Sequence, residues 1–252
     1  MRRLALLVLL VVTGVACEGE ERVAPTGAPS PTASPSPLPP PTPSPSSPTP
    51  SESPRPIPPA WALPIEEDLL PGELPGAALV PPGAELTARV ELPAGGGLPD
   101  QVAVAYGIGE DPFARQHGFA VWERFAEPPA WSVVYAFVDA PRRGVLGIRL
   151  QAGDLTGDGH DDVLVFEETG GSGACGTWRV VAATEEGTTL LFKRKTCDAE
   201  LLIRDGALEL REAIYEPEDP HCCPSAFRYA TLEWDGARFV ETASRLEPTT
   251  PG

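Results

Sequence analysis

From about residue 100 onward, apolar and polar positions alternate with a period of two, and no stretch sustains a 3.6-residue apolar period. The segments 100–106 (DQVAVAY), 119–125 (FAVWERF), 131–138 (WSVVYAFV), 145–151 (VLGIRLQ), 162–168 (DVLVFEE) and 177–184 (TWRVVAAT) are rich in β-branched and aromatic residues and read as strands. Two later runs, IRDGALELREAIY and TLEWDGARFV, each place Asp-Gly between strand-like halves. That dipeptide favours a two-residue hairpin turn because both positions tolerate positive φ. The chain is therefore expected to be all-β, built of antiparallel meanders or blade-like sheets.

A faint internal repeat accompanies this pattern. The run from Asp100 to Tyr106 and the strands after it parallel the run from Asp161, with Val102 falling on Val163 at a shift of 61 residues. Any two meanders share some of this likeness. If the repeat is genuine, the first copy has LPAGGGLPD where the second has GDLTGDGHD.

Composition changes the picture for the N-terminal quarter. Of 32 prolines, half lie in residues 24–60, amid Ser and Thr and almost no apolar residue. Such a tract buries too little surface to fold and is expected to be a disordered tether over 17–60. In polyproline II conformation its 37 proline-rich residues would span roughly 110 Å. Residues 61–82 mix apolar groups with Pro and read as irregular chain, with one helical turn at Glu66–Leu70 as an alternative. The β domain is assigned to 83–247 and a disordered tail to 248–252.

The chain opens MRRLALLVLLVVTGVAC. Two arginines precede nine largely apolar residues, Leu4–Val12, and small residues lead to Cys17. This is an export signal over 1–16, too short to span a bilayer, which takes about 20 apolar residues. Its end resembles the lipobox of bacterial lipoproteins at Ala16 and Cys17, and departs from it at Gly14, where that family prefers Leu. The resemblance implies acylation of Cys17 and a location on the bacterial cell membrane, lipid-anchored and facing the extracytoplasmic side.

The acidic stretch GDLTGDGHDDVLVF offers an oxygen-bearing residue at every second position: Asp154, Thr156, Asp158, His160 and Asp162. Calcium takes six to eight oxygen ligands, and Gly159 at the sixth position permits the sharp turn such a loop requires. The seventh residue ligates by its carbonyl, so the His160 ring need not touch the ion. Position twelve is Val165, so this is not an EF-hand. The loop instead resembles the calcium loop of FG-GAP and VCBS-type propeller repeats, with Thr156 in place of their usual Asn. That resemblance implies a structural Ca2+ ion. Propellers usually need at least four blades, and only one good copy is visible. The fold expected is therefore two sheets packed as a small sandwich or partial propeller. A plain acidic turn is the alternative.

Four cysteines remain: Cys175, Cys197, Cys222 and Cys223. An even number in an exported domain reads as two disulfides. Zinc with His221 is disfavoured because adjacent cysteines lack Cys-x-x-Cys spacing. A vicinal bridge closes a strained eight-membered ring, so Cys175 and Cys197 are each expected to reach one member of the 222–223 pair. The two could also face each other across a hairpin.

A formal net charge of −17 argues against nucleic acid and anionic lipid as partners. Three histidines, and a GGSGA run that misses the Gly-x-Ser-x-Gly elbow, give little support to an enzyme. Trp122, Trp131 and Trp178 could line a ligand pocket or pack the core. The expected function is a surface-tethered binding or structural module of the cell envelope, its ligand a polymer or a protein. The alternative is a secreted hydrolase or inhibitor that uses calcium as a brace.

Overall fold

A computed structural model describes residues 59–111, 114–139, 144–170, 174–220 and 222–249. Twelve strands form three antiparallel sheets, each from four consecutive strands in simple up-and-down order. The first holds β1 (Ala84–Leu92), β2 (Gln101–Ile108), β3 (Gln116–Ala126) and β4 (Pro129–Val138). The second holds β5 (Val145–Gly153), β6 (Asp162–Thr169), β7 (Gly176–Ala182) and β8 (Thr189–Thr196). The third holds β9 (Ala199–Arg204), β10 (Ala207–Ile214), β11 (Ala226–Trp234) and β12 (Phe239–Pro248). The all-β meander architecture expected from the alternation is present, with three sheets where two were expected.

The three sheets share one register device. In each, the second residue of the second strand faces a third-strand residue beside a bulge on the fourth strand. Val102 faces Trp122, whose neighbour pairs skip Val134; Val163 faces Val181, with Leu191 skipped; Leu208 faces Leu232, with Thr242 skipped. Strands β1 and β2 map onto β5 and β6 at the 61-residue shift. The third sheet differs most in its first connection. The eight-residue connections 93–100 and 154–161 become the two-residue turn Asp205–Gly206, both residues at positive φ (50° and 75°). The second Asp-Gly lies in a four-residue connection, 235–238, because Trp234 pairs with Phe239. There Asp235 Oδ1 accepts from the N–H groups of Ala237 and Arg238.

The sheets pack face to face. Ala103, Ala105, Phe119 and Val121 of the first meet Ile148, Val163, Val165 and Val181 of the second. The opposite face of the second sheet, with Leu164, Phe166, Trp178 and Val180, meets Leu201, Leu208, Leu210 and Ala230 of the third. Strands buried on both faces read as continuous apolar runs, which is why VAVAY and VLVF stand out.

Both ends of the stack are finished. The free face of the first sheet is covered by residues 61–80, whose Leu74, Leu79 and Val80 pack on Trp122 and Trp131. This segment holds two 3-10 turns, Pro71–Glu73 and Gly76–Ala78, and a bridge from Ile65 to Trp131. The helical turn considered at Glu66–Leu70 does not form; the prolines move the turns downstream. The free face of the third sheet is polar, with Arg211 over the Phe227 ring (3.7 Å), Arg245 over Tyr229 (4.1 Å) and Arg204 paired with Glu209 (3.3 Å). The tail expected from 248 begins later, since Pro248 pairs with Ala226 and Thr249 N–H donates to Ser225.

The signal at 1–16, Cys17, nearly all of the tether (to residue 58) and residues 250–252 of the tail lie outside the described residues. Among the described residues, no helix is long and apolar enough to cross a membrane.

Candidate functional site

The acidic loop joins β5 to β6 and is organised by its own carboxylates. Asp154 accepts from two backbone N–H groups, that of Gly157 at Oδ1 (2.7 Å) and that of Gly159 at Oδ2 (3.0 Å). Asp158 Oδ1 accepts from His160 N–H (2.8 Å), and Asp162 Oδ2 from the N–H groups of Leu155 and Thr156 (2.9 and 3.0 Å). Gly159 sits at φ +85°, the left-handed turn that its sixth position in the loop called for. Leu155 pins the loop by burying its side chain between the second and third sheets.

Two buried side-chain oxygens in this loop have no hydrogen-bond partner. Asp162 is 1% exposed, yet its Oδ1 is buried without a donor, and so is Thr156 Oγ1. Burial, reinforced by the charge of Asp158, pushes the Asp162 carboxyl up to about 7, against the opposing pull of the Leu155 and Thr156 donors. The Thr156 hydroxyl lies near enough to oppose that rise without reaching hydrogen-bond geometry. A buried carboxylate oxygen with no donor costs free energy while the group is ionised. A cation held between them would satisfy both oxygens at once.

The first sheet supplies an internal comparison. At the 61-residue shift Asp162 corresponds to Gln101, equally buried (1%). The Gln101 amide donates to Glu123 (2.7 Å) and to Thr188 (3.0 Å). In the third sheet the same register position is Ala207. Only the second copy places an acid there, and that acid keeps an unmet oxygen.

His160 is 1% exposed and turns its ring away from the loop, with Nε2 3.1 Å from Pro99 O. The ring is therefore not directed at the acids, in keeping with a carbonyl role for position seven. The loop packs closely on 93–100: a Cβ on Gly95 would stand 2.2 Å from Gly159 O. The third-sheet turn lies against it too, Gly206 near Asp154 O.

The five residues singled out in sequence are thus on one loop, but the acids do not focus on a point. Among the described residues, no three His, Cys, Asp or Glu side chains gather closely enough to hold a metal. Asp154 is half-buried and Asp158 exposed, each engaged with backbone. A carboxylate oxygen that accepts one N–H keeps a second lone pair, so both retain capacity for an ion. The donor set is all oxygen, which suits calcium rather than zinc or copper.

The cysteines differ from expectation. Cys175 is bonded to Cys197, not to the 222–223 pair. The cause is register: Gly176 pairs with Thr196 across β7 and β8, so the residues just beyond, 175 and 197, face each other. Cys222 and Cys223 are exposed, with their sulfurs 2.9 Å apart. His221 and the run 171–173 lie outside the described residues.

The three tryptophans are core. Trp122 and Trp131 are fully buried and donate Nε1–H to Leu79 O and Leu69 O; Trp178 is 5% exposed and donates to Thr196 Oγ1, each at 3.0 Å. One further polar cluster escaped sequence reasoning. Glu167 and Arg179 form a buried ion pair between the first and second sheets, with Arg179 over the Phe137 ring (4.4 Å). His117 is also buried. Its pKa is lowered by burial and by Arg115, against a raising effect of Asp139. No local spacing signals either, because each depends on how two sheets meet.

No protein-family model, curated protein or solved structure matches this chain.

Proposed function

We propose that this chain is an extracytoplasmic lipoprotein, anchored to a bacterial cell membrane by acylated Cys17, whose three-sheet domain is braced by one Ca2+ ion and serves as a binding or structural module of the envelope. The observation that carries the calcium reading is the pair of buried oxygens, Asp162 Oδ1 and Thr156 Oγ1, that have no donor. Asp154, Thr156, Asp158 and Asp162 would hold the ion by side chains and His160 by its carbonyl. The ion would supply the positive charge that a buried Asp162 lacks, fixing the junction of all three sheets. The proline-rich tract would act as the spacer between membrane and domain.

The test is thermal melting of the full chain in calcium and in chelator, joined to fractionation of cells expressing it. A ligand that binds the folded state alone at 100 times its Kd adds about 2.7 kcal/mol, so calcium should raise the melting temperature by several degrees. Asp158→Ala should abolish the difference. Cys17→Ser should move the protein from the membrane to the soluble fraction. Superimposable melting curves would end the calcium reading, and membrane retention of Cys17→Ser through detergent-free washing would end the anchor.

A further inference from the structure

Between β10 and β11, Cys222 and Cys223 present two adjacent thiols on a hydrogen-bonded frame. Asp219 holds its base: Oδ2 accepts from the N–H groups of Glu216 (2.7 Å) and Ser225 (2.9 Å) and from the Ser225 hydroxyl (2.6 Å). These donors keep the Asp219 carboxyl below the usual carboxylate range, the Ser225 hydroxyl contributing most. Cys223 N–H donates to Pro220 O (2.9 Å), closing the turn, and Thr249 N–H ties Ser225 O to the end of β12 (2.9 Å). On this frame the sulfurs of Cys222 and Cys223 lie 2.9 Å apart and are exposed. That is inside ordinary sulfur contact and longer than the 2.03–2.05 Å of a bond. The other described cysteines are joined to each other, so the pair is not engaged in the structural bridge. Cys222 also lines a shallow cleft with Ala174, Asp198, Tyr215 and Pro224, which gives an incoming sulfur a path to it.

We propose that Cys222 and Cys223 form a reversible vicinal disulfide, a two-electron switch that exchanges with a dialkyl disulfide. Cys222 thiolate attacks one sulfur of R–S–S–R, and R–S⁻ leaves, taking up the proton that Cys222 released. Cys223 thiolate then attacks Cys222 Sγ in the mixed disulfide, the second R–S⁻ leaves and is protonated, and the 222–223 bond forms. Two protein thiols are oxidised and one dialkyl disulfide is reduced to two thiols. Exposed or strained disulfides have the more oxidising potentials and are the labile ones. The eight-membered ring is strained, and both of its cysteines are exposed, whereas Cys175 is partly buried just beyond the β7–β8 ladder. The two couples therefore separate. Tyr215 reports the state. Its hydroxyl donates to Asp198 Oδ2 (3.0 Å), and its pKa is raised by desolvation first, then by Asp198 and by charge on Cys222 and Cys223.

The test equilibrates the full chain in glutathione buffers of graded oxidised-to-reduced ratio, quenches in acid, alkylates and maps peptides. The expected result is a 222–223 bridge that opens at ratios leaving 175–197 closed, with a parallel change in Tyr215 absorbance. Cys223→Ser should accumulate a Cys222–glutathione mixed disulfide that the parent does not. Two thiols that stay alkylatable at every ratio, or a bridge from either to Cys175 or Cys197, would overturn the proposal. The wild-type map stands even if the variant fails to fold.

Discussion

A Cβ placed on Gly96 would stand 2.1 Å from the carbonyl oxygen of Asp158. The glycine-rich loop of the first sheet and the acidic loop of the second thus touch backbone to backbone, with no side chain between to yield. Gly95→Ala, whose Cβ meets the backbone oxygen of Gly159, should cost about 3 kcal/mol or more, the upper end for an overpacking change. Gly97→Ala in the same loop meets nothing and should cost about 1–2 kcal/mol, from its positive φ (+87°) alone. Urea midpoints of the two variants give the comparison. Equal losses would mean that the loops part without cost.

Asp162→Asn should separate the two demands on that side chain. The amide keeps an acceptor for Leu155 and Thr156 N–H and adds a donor beside Thr156 Oγ1, so in chelator the variant should equal or exceed wild type in stability. In calcium the order should reverse, because the variant has lost the charge that the ion needs. Calorimetry in both buffers reads this crossing; a variant less stable than wild type in chelator would show that the carboxylate is already satisfied without an ion.

The Glu167–Arg179 pair should behave as a coupled unit. Removing one partner from a buried pair costs about 3–5 kcal/mol because the other charge is left unmatched. Arg179→Met should therefore destabilise by about that amount, and the added Glu167→Gln should recover most of it. A double-mutant cycle measures the coupling, and additive losses would refute it.

His117 sets an acid limit on stability. Its folded pKa lies below the ordinary 6.5, since burial disfavours the imidazolium. The unfolded chain then binds the proton first, and the associated stability is complete above about pH 6.5 and lost as pH falls through the folded pKa. His117→Gln should flatten that part of the curve. Denaturation midpoints at pH 7.5 and pH 5 check it, and an unchanged slope in the variant would assign the acid loss elsewhere.

How legible all this was in the sequence depended on burial. Val102–Tyr106 and Val163–Phe166 announced themselves because both faces of their sheets are covered. The third sheet stayed hidden as a copy. Its outward positions carry Glu209, Arg211 and Arg245 against solvent, and its first connection has shrunk to Asp205–Gly206. The alternation marked its strands but not their kinship with the others. Within the site, spacing alone placed Asp154 to Asp162 on one loop. It could not show that Asp162 is the one deeply buried acid among them, because burial depends on how 93–100 and 205–206 pack on the loop. The disulfide was misjudged for a similar reason. Facing of Cys175 and Cys197 depends on a bulge between Val180 and Val181, which shifts the β7–β8 register by one residue.

The finished ends of the stack bear on how the protein lives in a crowd. A pile of sheets with apolar faces is a polymer waiting to grow, each end a template for the next copy. Here one end is terminated by the chain's own 61–80 segment and the other by arginines laid flat on aromatic rings. Stacking of a second copy on either end face is therefore blocked, which leaves the edge strands of the three open sheets as the places where neighbouring molecules would anneal.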